Sequence, residues 1–274
     1  MASWRVEQRK PMSETNLPRS PFVTAVELPT SRAMRAVSHE EVVRGLAAHR
    51  LYLETGRKQG ERANFSRAEL AGANFAGMRL RRAKFHQARL EHADFSRAEL
   101  ARANLIGAAL TGAVLTEADL TEARLSGANL TSANLAGACF AGADIEFALL
   151  PKAVLARACL HGADMSGIVA VEADLSRADL RRANLRGADL HKGRLDGADL
   201  REARLGGAFL GGASLRGADL RGAYLRIARL DGADLSGADL RSAEGLTREQ
   251  LDAARCDEHT KLPADVGKGS GDGA

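Results

Sequence analysis

The chain has 274 residues, of which 45% are apolar but only 4% aromatic, with 28 glycines. This excludes an ordinary globule packed around bulky side chains and points to a narrow, repetitive core of Leu and Ala. The net charge of +4 is uneven, at +4 for residues 1–60, +2 for 61–240 and −2 for 241–274, so the basic balance is weak support for nucleic-acid binding.

Residues 1–37 hold four of the six prolines and predict a disordered N-terminal arm. Residues 38–60 predict a helix, in "SHEEVVRGLAAHRLYLETG". Ser38 and Glu41 have the spacing of a capping box, Val43, Leu46, Ala47 and Leu51 are expected on its apolar side, and Gly56 stops it.

From Glu61 to Leu240 the chain divides into 36 consecutive units of five. The last residue is Leu in 28 of them, and Ala stands two residues earlier in 33. A helix would rotate every fifth residue by about 140° and spread the leucines over all its sides. A flat strand would send every fifth residue to the opposite face. Neither buries the pattern, whereas a coil whose units stack on their equivalents one turn below does. The beat stumbles once, in "HGADMSGIVAVEADL" (161–175), where Ile168 replaces Ala and Ala170 replaces Leu. Both are expected to point inward, so one large and one small side chain have exchanged places and core volume is nearly kept.

The stretches "ANFSRAELAGANF", "ANLTSANLAGACF" and "ADLSRADLRRANLRGADL" are similar to the pentapeptide-repeat family, whose unit is A(D/N)LXX, and the likeness runs over residues 61–240. It implies an all-β solenoid, a right-handed quadrilateral β-helix of about nine coils. Each coil has 20 residues and four sides, with Ala and Leu or Phe turned inward. At the usual strand spacing such a rod is about 40 Å long. Its open ends need covers, so short helical caps are expected at both: the 38–60 helix and residues 241–266. In "GLTREQLDAARCDEHTKLP", Thr247 and Gln250 make a second capping box, with Leu246 and Leu251 as its hydrophobic staple. Residues 267–274, "GKGSGDGA", predict a flexible tail.

The implied 20-residue stacking sorts outward residues into columns. One column holds Asp179, Asp199, Asp219 and Asp239, and two residues further on stand Arg181, Arg201, Arg221 and Arg241. These read as a self-neutralised wall or as a polar docking strip; nothing would desolvate the carboxylates for acid–base catalysis. Cys139 and Cys159 fall one coil apart beside His161, but a flat wall does not converge four ligands on a metal. No nucleophile elbow, phosphate loop, zinc helix or dinucleotide fingerprint is present. No enzyme, catalytic residue, cofactor or metal is therefore expected.

Some pentapeptide-repeat proteins imitate DNA and bind type II topoisomerases such as gyrase. The outward charges of the four sides sum to +3, −1, 0 and 0, so no side is acidic throughout, although Asp144, Glu146 and Asp164 form a short acidic patch. On the basic side, Arg186, Arg204 and Arg226 with Tyr224 are few for nucleic-acid binding. One region departs from a polar wall: Phe147, Leu149, Pro151, Val154, Val169 and Val171 are all expected to face outward around the stumble. Such a patch marks a contact surface, covered by a partner protein, a second copy, or the N-terminal arm. With three cysteines, no apolar run of 18 residues and no signal core after the N-terminus, the expectation is a cytoplasmic, non-membrane, bacterial protein-interaction scaffold.

Overall fold

A computed structural model describes residues 34–264 and 266; the predicted flexible tail at 267–274, and all of the predicted disordered arm except residues 34–37, lie outside them. The two helices are α1 (His39–Glu54) and α2 (Arg248–Asp252). Between them the chain runs as isolated parallel bridges, each joining a residue to the one 20 positions on, from Asn64↔Lys84 to Asp219↔Asp239.

Why five residues make one side is visible in the fate of their amide protons, followed here from Asp119 to Ala123. The Asp119 N–H donates to Ala98 O on one neighbouring coil at 2.9 Å, and the Leu120 N–H to Cys139 O on the other at 2.7 Å. The Thr121 N–H donates to the Asp119 Oδ1 at 3.0 Å. The Glu122 N–H returns to the ladder at Ala141 O, and the Ala123 N–H closes the turn on Leu120 O at 2.9 Å. Every donor of the unit is satisfied, as a backbone turned around a buried core requires. The Asp or Asn of the repeat is thus an Asx cap for the first turn residue. Equivalent bonds occur at Asn74, Asn129, Asp174 and Asp234.

The second turn residue takes a positive φ on every side, from +53° at Glu122 to +69° at Gly72. This is the pattern of a type II turn. Gly suits it, and the corner glycines of the repeat serve that purpose. The neighbouring coils nevertheless hold Arg, Glu and Lys there too, and even Phe147 and Ile227.

The inward Ala and Leu positions form one continuous core. At its first end, phenylalanines from opposite sides interlock. The rings of Phe75 and Phe95 stack with centroids 4.9 Å apart, and Phe85 meets Phe95 edge-on at 5.6 Å. Ile168 and Ala170 are both buried, as the exchange of sizes requires. The turn bond from the Ile168 N–H to Met165 O lengthens to 3.4 Å.

Helix α1 begins with the expected capping box of Ser38 and Glu41. It ends in a Schellman turn, with Gly56 N–H on Leu53 O and Arg57 N–H on Tyr52 O. Its buried face differs from the expected one. Val43 is 50% exposed, Leu51 and Ala47 also face solvent, and Val42, Leu46 and His49 turn inward. The face has rotated by about one residue, which brings Gly45 over the Phe65 ring. His49 Nδ1 also accepts the Ala63 N–H at 3.1 Å, which fixes the rotation. The return of the chain past α1 depends on Gly60, whose φ is +73° and where a Cβ would collide with the Ala48 carbonyl.

The arm predicted to be disordered through residue 37 is ordered at its last residues. Arg35 bridges Ala68, accepting from the Glu69 N–H at 3.0 Å. At the other end the capping box of Thr247 and Gln250 forms, and Leu246 and Leu251 pack on the core. Helix α2 spans only five residues, and the chain then resumes the ladder through Asp234↔Arg255 and Asp239↔Lys261.

Candidate partner-binding surface

The outward apolar residues lie on two adjacent coils. Leu149 and Val169 are bridge partners on adjacent coils, both half-buried. Beside them, Val171 O accepts the Lys152 N–H at 2.9 Å, placing Pro151 and Val171 in neighbouring corners. Proline suits the first turn position, whose N–H takes no part in the ladder. Leu149, two residues before it, has no Asx oxygen to offer, and none is needed. Phe147 stands at the corner before Leu149, 62% exposed with φ +54°. Its ring lies over Gly167, where any Cβ would sit 2.6 Å from it. Val154 lies on the next side, 38% exposed.

The strip extends further than the sequence indicates. Val169 bridges Asp189, which bridges Phe209. Asp189 is only 7% exposed because it accepts the His191 N–H at 3.1 Å and lies 3.0 Å from the ring Nδ1. The His191 ring stacks near Phe209 at 6.3 Å, and the Arg229 guanidinium lies 5.7 Å from the Phe209 centroid. A Phe in the bridge column at 209 was the available signal. On the other flank Asp144 bridges Asp164, and the Ser166 hydroxyl donates to Asp164 at 2.7 Å and to Glu146 at 3.3 Å. An acidic rim therefore adjoins Phe147.

The charged strip has a different character. The Arg181 guanidinium grips Asp179 with two bonds of 2.8 and 2.6 Å, and reaches Asp199 at 3.6 Å. Arg201 does the same with Asp199, Arg221 with Asp219 and Arg241 with Asp239. These bonds hold the carboxyls of Asp179 and Asp219 below their ordinary range, and that of Asp239 falls to about 2. Cys139 and Cys159 are bridge partners with free thiols, and burial pushes the Cys159 thiol up. Of the basic side, Tyr224 bridges Arg204 and its ring covers Gly206.

A coil of four flat sides held by parallel bridges 20 residues apart, with Ala and Leu inside, defines a four-sided β-helix. The chain belongs to the pentapeptide-repeat family: eight copies of the family's repeat match it, over residues 61–97, 98–137, 128–167, 171–201, 194–228 and 220–244. Proteins of this family form right-handed quadrilateral β-helices. Similar solved structures include HetL from the cyanobacterium Nostoc, a pentapeptide-repeat protein involved in the regulation of heterocyst differentiation. It is 34% identical over 77% of this chain and 92% of that one, with a TM-score of 0.42. QnrB1, a plasmid-mediated fluoroquinolone resistance protein, is 21% identical over 64% of this chain and 87% of its own, with a TM-score of 0.44. A pentapeptide-repeat protein of the Arabidopsis thaliana thylakoid lumen is 22% identical over 44% and 81%, with a TM-score of 0.29. A search of curated protein sequences gave no match. No helix among the described residues is long and apolar enough to cross a membrane.

Proposed function

We propose that the chain is a non-enzymatic protein-interaction scaffold, docking a partner protein or a second copy through the strip of Phe147, Leu149, Pro151, Val154, Val169 and Val171. The observation that carries this reading is the outward apolar surface on two adjacent coils, with Phe147 largely exposed at a strained corner. Apolar surface of this kind on a wall otherwise made of Asp, Asn, Arg, Ser and Thr marks a contact site, and a large ring at its edge is a suitable anchor. We read residues 61–240 as about nine coils, with α1 and the 241–266 segment covering the two ends, in a cytoplasmic bacterial protein. Gln250 supports the second cover, because its side chain donates to Leu225 O and Ala228 O of the last turns.

The test is Leu149→Asp combined with Val169→Asp. The variant keeps the far-ultraviolet spectrum and melting transition of a folded rod but loses self-association in sedimentation, or loses the protein retained from host lysate by wild type. Unchanged association would sink the reading. A second reading, binding to a type II topoisomerase by imitation of DNA, draws on the acidic cluster of Asp144, Glu146 and Asp164. The Asp–Arg pairing of the adjacent wall weighs against it. It requires that the purified protein alter supercoiling by gyrase, and no effect at high excess would dispose of it.

A further inference from the structure

A cleft of about 320 Å³ lies between the end of α1 and the first coils. Five arginines line it: Arg57 from the turn after α1, and Arg79, Arg81, Arg82 and Arg102 from the wall. No carboxylate is among its lining residues. Two of the five have acidic partners at the rim. Arg102 is held by two bonds to Glu122 at 2.8 and 3.0 Å, and Arg79 lies 3.9 Å from Glu99. Arg57, Arg81 and Arg82 form no ion pair within 4.0 Å among the described residues, so three guanidiniums have no directly bonded carboxylate.

The helix end does not account for them. Its dipole supplies about half a negative charge, and its last carbonyls are already engaged by the Schellman turn and by the Thr55 N–H and hydroxyl on Leu51 O. His49, on the inner face of α1, is pushed below its ordinary value first by burial and then by Arg62, outside the cleft, and Arg79. The same two wall columns form a second cleft, of about 210 Å³, around His161, Arg181, Arg182 and Arg201. There every arginine is paired, with Asp179, Asp199 or Glu202. Basic columns of this wall are thus neutralised where a carboxylate is supplied, and at the α1 cleft the carboxylates of Glu99 and Glu122 pair only with Arg79 and Arg102.

From the five arginines converging on one cleft, with Tyr52, Leu53 and Ala101 as its uncharged wall, we infer that this is a binding site for a small ligand carrying two adjacent phosphate groups. Guanidinium forks match phosphate oxygens in pairs. The volume lies at the lower end of the range for small-molecule sites, the size of a nucleotide rather than of a polymer. Because the turn after α1 and the wall each contribute arginines, the ligand would tie the end of the helix to the rod.

The experiment is calorimetric titration of the full chain at low salt with inorganic pyrophosphate and, separately, with ADP. Saturable binding is expected with a dissociation constant below about 1 mM. Arg81→Gln with Arg82→Gly should weaken it at least tenfold; glycine at 82 suits the φ of +64°, so the variant keeps its fold. Arg181→Gln with Arg182→Gly, at the paired cleft, should leave it unchanged. Tighter binding of ADP than of pyrophosphate would assign the carrier to the Tyr52 wall, and equal binding would assign recognition to the phosphates alone. Absence of saturable binding by both probes, or an equal loss in the two double variants, overturns the inference.

Discussion

The two arginine clefts occupy the same pair of columns at different heights, yet one is neutral and the other strongly basic. The difference comes from the neighbours: the residue 20 positions on is Glu202 for Arg182 but Arg102 for Arg82, and only the α1 cleft receives Arg57. Two residues before Arg181 stands Asp179, whose carboxylate caps the turn and grips the guanidinium; two residues before Arg81 stands Arg79. The Asx position therefore adds a turn cap and sets surface charge together, and replacing it changes the charge while the coil is kept, since many units fold without an Asp or Asn there. Surface character in such a rod is set unit by unit on a constant frame.

That comparison can be broken most severely from inside. Leu180→Ala, directly beneath the paired arginines, should cost about 2–5 kcal/mol in chemical denaturation, whereas changing Arg181 above it should not approach this. Arg79→Asp gives Arg81 the partner Arg181 enjoys. It should lower pyrophosphate affinity about tenfold, equal to about 1.4 kcal/mol, with the circular dichroism spectrum preserved. Asp199→Ala removes the turn cap and the Arg201 partner at once, and should cost about 1 kcal/mol of stability.

Acid tests the paired end specifically. The Arg241 guanidinium lowers the Asp239 carboxyl from 3.8 to about 2. A depressed carboxylate stabilises the fold fully above its unfolded value, and that contribution is lost as pH falls from about 4 to about 2. Melting temperature followed over that interval should therefore drop less steeply in Arg241→Ala. The smallest effect is expected at Ile227, a β-branched residue at φ +55° and 75% exposed. Ile227→Gly relieves the backbone and should be neutral or stabilise by up to about 1 kcal/mol in thermal melts.

Much of this was legible along the chain. The inward residues follow from a period of five that neither helix nor strand can bury, and both capping boxes are readable as four-residue patterns. The face of α1 was misjudged because helical periodicity leaves a rotation of one residue open. Contact of Gly45 with Phe65 and of His49 with Ala63 N–H settles it. The apolar strip was visible up to Val171, but its continuation to Phe209 passes through Asp189, a charged residue that only its bonds to His191 make part of a buried surface.

What the sequence by itself determined is the coil, because 36 repetitions of the same small core leave one way to hide Leu and Ala and keep the backbone ladder between coils. What only the tertiary structure decided is which charges remain without partners. The outward charges of the wall carrying both arginine clefts sum to zero, and the sum hides an excess at one end that appears once α1 folds back and brings Arg57 to Arg81 and Arg82. Pairing depends on distances of a few ångströms between residues 20 or more positions apart, and linear order does not carry that information.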